Sequence, residues 1–182
     1  MSTTTPLQGT LVWNIDPAHS GIDFSIKHMG IFSVKGSLGT VSGTVETTDS
    51  ALSKVSLSVD LSTFSTKNEQ RDAHVKSADF LDVEKYPTAT FVSTAISGDV
   101  ESGHTVTGDL TLHGQTHPVT LEAEIVPPVK DPWGLTRGGA TGTGSIKRTE
   151  WGLTYNSVMD TGHVLLGEDV KFTFDLQATL PA

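Results

Sequence analysis

An all-β chain, closed into an antiparallel barrel of about eight strands, is the fold class this sequence predicts, and three observations predict it. Apolar residues recur at every second position in short runs from one end of the chain to the other. Glycines interrupt two of those runs. A single polar, helix-like excursion breaks the pattern. The period-two signal is clear where Ile22, Phe24, Ile26 and His28 alternate with Asp23, Ser25 and Lys27, and where Val55, Leu57, Val59 and Leu61 alternate with Ser56, Ser58 and Asp60. It is longest near the C-terminus, where Val170, Phe172, Phe174, Leu176, Ala178 and Leu180 alternate with polar residues. Such alternation means strands with one dry and one wet face. Many such strands in one chain bury their dry faces by curling around a common interior.

Strands are read at 11–16, 21–28, 33–48, 54–62, 88–98, 105–113, 117–126, 138–147 and 168–180. Gly36, Gly39 and Gly43 lie within the third, and Gly138, Gly139, Gly142 and Gly144 within the eighth. Glycines inside strands mark bulges or sharp bends, as a curling sheet needs. His113 and His117 flank Gly114-Gln115-Thr116, which reads as a hairpin turn. Val126-Pro127-Pro128-Val129-Lys130-Asp131-Pro132 reads as a connecting loop at one barrel end. The excursion falls between Thr63 and Pro87: a short helical segment near residues 66–82, with a helix at about 68–76, a turn at 78–81, and a capping box formed by Thr66 and Glu69. A second irregular stretch, 150–166, has room for one helical turn. The similar hexapeptides that begin at Thr40 and Thr105 are too short to signal duplication.

The 182 residues fit one domain with a sizeable core. Residues 1–10 read as a polar lead-in and 11–182 as the barrel. The formal net charge of -9, with only 12 scattered Lys and Arg, disfavours nucleic acid and anionic membrane surfaces as partners. No stretch is long and apolar enough for stable membrane insertion. The opening residues show neither a basic cluster nor an apolar run, so the expected location is cytoplasmic, with a periplasmic or secreted one the alternative if a leader has been removed. The absence of cysteine excludes disulfides, thiolate nucleophiles and thiolate metal sites.

Common catalytic signatures are missing. There is no Gly-x-Ser-x-Gly elbow, no phosphate-binding loop, no His-Glu-x-x-His, and Gly142 and Gly144 are followed by Lys147 where a dinucleotide fingerprint needs glycine. His19, His28 and His74 make a metal site only if they converge, and the favoured reading leaves each in a local hydrogen bond, with no metal or cofactor. Arg71, Asp72 and His74 form the densest polar cluster; the favoured reading has Arg71 and Asp72 pinning the short helix, and the alternative has the guanidinium gripping an anionic head group. The phenylalanines either line a lipid cavity or plug the barrel, since an eight-stranded barrel permits both outcomes.

Beyond these readings, the blocks Trp13 to Ser20, Asp23 to His28 and Val34-Lys35-Gly36 resemble the opening of the YceI-like family of lipocalin-like, polyisoprenoid-binding proteins. Thr66 through Arg71-Asp72-x-His74, Asp79-Phe80-Leu81-Asp82, Tyr86-Pro87 with Phe91, Gly108 to Gly114, Gly144 to Arg148 with Trp151-Gly152, and Gly167 to Val170 continue the resemblance in order. It implies a lipocalin-like barrel holding a polyisoprenoid, an isoprenoid quinone or a fatty-acid derivative for sequestration, storage or transport, and a homodimer. On that reading Phe24, Ile26, Leu57, Val59, Phe91, Leu110, Leu121, Phe172 and Phe174 line the interior. Phe32, Phe80 and Trp151 cover the openings, with His28, Arg71 and His74 near one mouth. The alternative is an enzyme acting on a lipid or quinone through His28, Arg71, Asp72 and His74.

Overall fold

A computed structural model describes residues 7–181; residues 1–6 of the expected lead-in at 1–10 and the final Ala182 lie outside the described residues. Ten strands and one helix follow in order: β1 (Thr10–Ile15), β2 (Gly21–His28), β3 (Phe32–Ser37), β4 (Thr40–Thr48), β5 (Ala51–Asp60), α1 (Glu69–Lys76), β6 (Thr88–Asp99), β7 (Gly103–Leu112), β8 (Gln115–Lys130), β9 (Thr136–Lys147) and β10 (Leu166–Leu180). Short 3-10 turns sit at Pro17–His19, Leu61–Thr63 and Arg148–Trp151.

The ten strands make eight walls. β10 pairs with both β2 and β1, from Leu166 opposite His28 through Asp175 opposite Gly21 to Thr179 opposite Asn14. β3 pairs with β2, and β4 pairs with β1, so β1–β2 and β3–β4 are each one wall with a corner. The remaining neighbours are antiparallel in chain order, and β1 against β10 closes the ring. Closure leaves no long unpaired edge along the ring. No helix among the described residues is long and apolar enough to cross a membrane.

Four local expectations are corrected. The stretch 33–48 is two strands, not one, because the chain turns a corner at Leu38-Gly39; Gly39 has φ of +140°, and a Cβ there would run into the backbone oxygen of Asp60. The proline-rich stretch is not the loop: β8 continues to Lys130, with its register shifting between Val126 and Val129, where the two prolines cannot donate to the ladder. The loop comes afterwards, where the Asp131 carboxylate accepts from the backbone N–H of Trp133 and Leu135 at 2.9 Å. The β7–β8 hairpin turns tightly at His113-Gly114, both with positive φ, and not over Gly114 to Thr116. The cap of α1 is Asn68, whose Oδ1 accepts from the Arg71 N–H at 2.9 Å; Thr66 lies two residues too early for the capping box and bonds Asp72 instead.

The barrel has two unlike ends. At the helix end lie α1, the His113-Gly114 turn and the crossover from Arg148 to Leu166. At the hairpin end lie the β4–β5, β6–β7 and β8–β9 connections, with Leu7 packed against the core. Phe24, Ile26, Phe64, Leu81 and Leu153 form the apolar cluster under α1, and the larger cluster includes Trp13, Leu57, Val106, Leu176 and Trp151. Trp151 is 1% exposed, and its indole N–H donates to the Leu110 carbonyl at 3.1 Å. Trp151→Ala removes a fully buried aromatic and its hydrogen bond; the expected cost is about 3–5 kcal/mol, read in a thermal melt as a drop of roughly 6–20 °C.

Candidate functional site

The inward side chains leave a continuous apolar bore along the barrel, with a volume of about 1110 Å³. This resolves the alternative between an open and a filled interior, and the reason lies in how the phenylalanines are seated. Phe172 stands opposite Gly144, Phe174 opposite Gly142, and Phe24 opposite Gly36. Each ring lies over the glycine, in the place of its missing side chain: a Cβ on Gly144 would meet Phe172 Cε2 at 2.5 Å and Leu121 Cδ2 at 2.6 Å. Phe91 lies over Gly108 in the same way, 2.5 Å from where a Cβ would stand. The largest inward groups are therefore folded along the wall, and the axis stays open.

Of the residues singled out from the sequence, Phe24, Ile26, Leu57, Val59, Phe91, Leu110, Leu121, Phe172 and Phe174 all border this bore, as do His28, Arg71, His74 and Phe80 near α1. Two do not. Phe32 is 62% exposed, because it opens the short β3 at the outer corner of the barrel. Trp151 is sealed behind the wall, its ring edge-on to His117 at 5.1 Å, and covers no opening.

The helix end is built by α1 and the crossover after β9. His74 packs edge-on against Phe80 and Tyr155, each with centroids 5.1 Å away, while its Nε2 bonds the Asp79 carboxylate at 2.9 Å. Asp72 does not face the bore. Its Oδ1 accepts from the Thr66 hydroxyl at 2.6 Å and the Thr66 N–H at 2.8 Å. Burial alone raises the Asp72 carboxyl, but the two Thr66 bonds outweigh it and hold the group below the ordinary carboxylate range. Arg71 fixes the other side of Thr66, with Nε on its hydroxyl at 2.7 Å and Nη2 on its carbonyl at 3.1 Å. The four residues of the enzyme alternative therefore do not assemble around one point. The three candidate metal histidines do not converge either: His19 bonds Asp16 on the outside, and no group of three metal-binding side chains occurs among the described residues.

Among the polar residues of the bore that the sequence reading missed, Arg148 and His104 are buried. Arg148 is 3% exposed and spends its donors on backbone carbonyls: Nε on Gly167 at 2.8 Å, Nη1 on Leu153 and on Tyr155 at 3.0 Å, and Nη2 on Leu166 at 3.4 Å. Burial pulls its guanidinium below the ordinary arginine range, and the Glu168 charge only partly restores it. Its position just past β9 hid it, since alternation ends there. His104 is buried with Nδ1 lacking any partner, and its phase with Val106 marked it as inward-facing.

Comparison with known proteins follows the same outline. The YceI-like domain family matches residues 13–178. A UPF0312 protein of Vibrio parahaemolyticus is 40% identical over 136 residues, covering 74% of this chain and 72% of its own. The crystal structure of Burkholderia cenocepacia BcnA superposes with a TM-score of 0.76 at 23% identity, over 90% of this chain and 98% of that one. A polyisoprenoid binding domain from Saccharophagus degradans, implicated in plant cell wall breakdown, superposes at 0.66 with 16% identity, over 94% and 99%. At these identities the two structures show a shared fold.

Two outcomes are expected of this geometry. Gly144→Val displaces Phe172 and Leu121 side chains, not backbone, so the barrel folds but its bore narrows; binding of N-phenyl-1-naphthylamine weakens by roughly tenfold, with unchanged far-ultraviolet circular dichroism. The lowered carboxyl of Asp72 adds stability that is present above the unfolded carboxylate pKa of about 3.9 and lost as pH falls through the lower folded value. The protection factors of the α1 amides, exchange rates taken relative to the intrinsic rate at each pH, therefore fall on acidification through that window, and Asp72→Asn shows the lower protection already at neutral pH.

Proposed function

Because the chain belongs to the YceI-like domain family, we propose that its barrel binds a long-chain apolar lipid in the bore, a polyisoprenoid, isoprenoid quinone or fatty-acid derivative, and sequesters, stores or carries it. The observation that carries this reading is the open apolar bore kept clear by rings laid over glycines. The likeness to a domain described as polyisoprenoid binding supports it.

The size of the bore bounds the guest. If each heavy atom takes about the 30 Å³ that water occupies in the liquid, the volume corresponds to about 37 heavy atoms, or roughly seven isoprene units. At about 0.3 kcal/mol per heavy atom, each five-carbon unit contributes about 1.5 kcal/mol. Five or six units then reach about 8 kcal/mol, a micromolar dissociation constant, from the tail alone. Selection by such a wall acts on length and branching, because burial is non-directional. The enzyme alternative gains no support from the site: Asp72 is turned onto Thr66 and His74 onto Asp79. A homodimer is part of the proposal by family resemblance, and sedimentation velocity tests it.

Native mass spectrometry of freshly purified protein is the direct test, followed by organic extraction and mass analysis. The expected result is an added mass of several hundred daltons that extracts as a lipid. Phe172→Glu places a charge on the wall and abolishes this mass while the variant stays folded; repeated absence of any bound lipid from the unaltered protein overturns the reading.

A further inference from the structure

Five large apolar side chains stand in solvent at the helix end of the barrel: Met29, Ile31 and Phe32 on the β2–β3 hairpin, and Val158 and Val164 in the crossover after β9. Ile31 is 75% exposed and Val158 74%. The two segments form one rim. The Met29 N–H donates to the Leu165 carbonyl and the Leu165 N–H to the Ser157 carbonyl, both at 2.8 Å, while Val158 bridges Val164. His28 and Leu166, which follow directly below and pair with each other, border the bore, so the rim stands beside its mouth. Single apolar residues on a surface are ordinary, but a joined group of them marks a surface that something covers. Met29 is also held at a φ of +55°, a turn position where glycine, asparagine or aspartate is the usual choice.

Lysines that are scattered along the sequence are gathered beside this rim by the strand register. On the outer face of β9, β10, β2 and β3, Ser25 stands between Lys171 and Lys35, and Ser145 lies opposite Lys171. Lys27 and Lys147 are each two residues nearer the rim than those serines, on the same face. All four lysines are exposed, and none forms a salt bridge among the described residues. Three carboxylates lie near them: Asp169 opposite Lys147, Glu168 whose charge acts on Arg148, and Asp160 between the two valines. The patch therefore stays positive in a chain whose net charge is -9. Further from the rim the same face turns acidic, where Asp23, Glu122, Glu124 and Asp175 border one shallow groove.

We propose that this rim docks the barrel on an anionic lipid bilayer, its apolar side chains entering the interface and its lysines lying at the level of the headgroup charges. Aromatic and aliphatic tips gain by leaving water there, and each lysine near the surface is attracted by its negative potential. The acidic stretch of the same wall is repelled, so the two signs together turn the helix end toward the membrane. The sequence expectation against such a partner rested on scatter, which folding removes. A second copy of the chain fits this rim worse, because a two-fold contact through it sets lysine against lysine. The surface lies outside the bore and its occupant is the bilayer itself, so the inference goes beyond the lipid-binding reading.

The experiment is flotation of the full chain with vesicles of phosphatidylcholine, and with vesicles in which about a third of that lipid is replaced by phosphatidylglycerol. The anionic vesicles are expected to bind at least about tenfold more tightly at low ionic strength, and the difference shrinks as salt is raised. That salt dependence tests the charges without any substitution. Lys35→Glu with Lys171→Glu removes the preference, and Ile31→Asp with Phe32→Asp weakens binding to anionic vesicles about tenfold or more. All four side chains are exposed, so both variants keep the far-ultraviolet circular dichroism of the unaltered chain. Trp133→Asp, at an exposed side chain of the hairpin end, leaves vesicle binding unchanged. Equal binding to both vesicles, no binding to either, or the same loss from Trp133→Asp overturns the docking surface. So does a dimer in sedimentation velocity that Ile31→Asp with Phe32→Asp dissolves, since a second copy then covers the rim. Lipid extracted from the bore is measured separately, so failure of the docking surface leaves the lipid-binding reading standing.

Discussion

The seating of phenylalanine rings over strand glycines is the constraint on which the rest of the molecule depends. An eight-stranded barrel is only wide enough for its own inward side chains to fill it, or for one small guest if they do not. Here the inward positions of β9 opposite β10 are Gly142 and Gly144, and the rings of Phe174 and Phe172 occupy the volume those residues vacate. Strand glycine lowers β-propensity and costs backbone entropy, which the covering aromatic offsets by burying the exposed backbone. The same exchange recurs at Gly36 under Phe24 and Gly108 under Phe91, on walls around the ring. A barrel with ordinary residues at those four positions would need its rings to point inward, and the bore would close.

A hollow barrel cannot hold itself together through a central core, so its cohesion has moved to the ring of ladders and to the ends. Val41, Leu61 and Trp151, the largest fully buried side chains, sit along or behind the wall rather than on the axis. The helix end is tied by polar contacts as well as apolar ones. Thr66 is held between Asp72 and Arg71, and Arg148 gathers two carbonyls of the crossover after β9 and two at the start of β10. α1 has no buried residue, so these tethers, with the apolar cluster beneath it, are what keep it across the mouth.

How much of this was legible in the residues depends on the kind of signal each part leaves. Strand alternation is a local periodicity, and it identified both the walls and the nine residues that line them, because an inward position stays inward along an unbroken strand. It failed where the period breaks. Gly39 turns a corner inside an apparently continuous strand, and two prolines continue β8 where their chemistry reads as loop. Trp151 and Arg148 lie in the 3-10 turn that follows β9, where no period assigns a face, so an expected lid proved to be backing and a buried cation went unnoticed. The glycines of β9 were read as bends, yet at Gly142 and Gly144 their larger consequence is volume, a property of the opposite strand that spacing along one strand cannot reveal.

The openness of the bore bears on how such a barrel is stabilised. Apolar surface around an open bore gives up contacts that a filled core would make. On the lipid-binding reading, hydrocarbon lying along the phenylalanines restores those contacts. A guest that binds only the folded chain stabilises it in proportion to the logarithm of its concentration over its dissociation constant. Cavity and stability are therefore coupled on that reading: the glycine-backed wall that leaves room for a guest also makes the barrel gain stability from holding one.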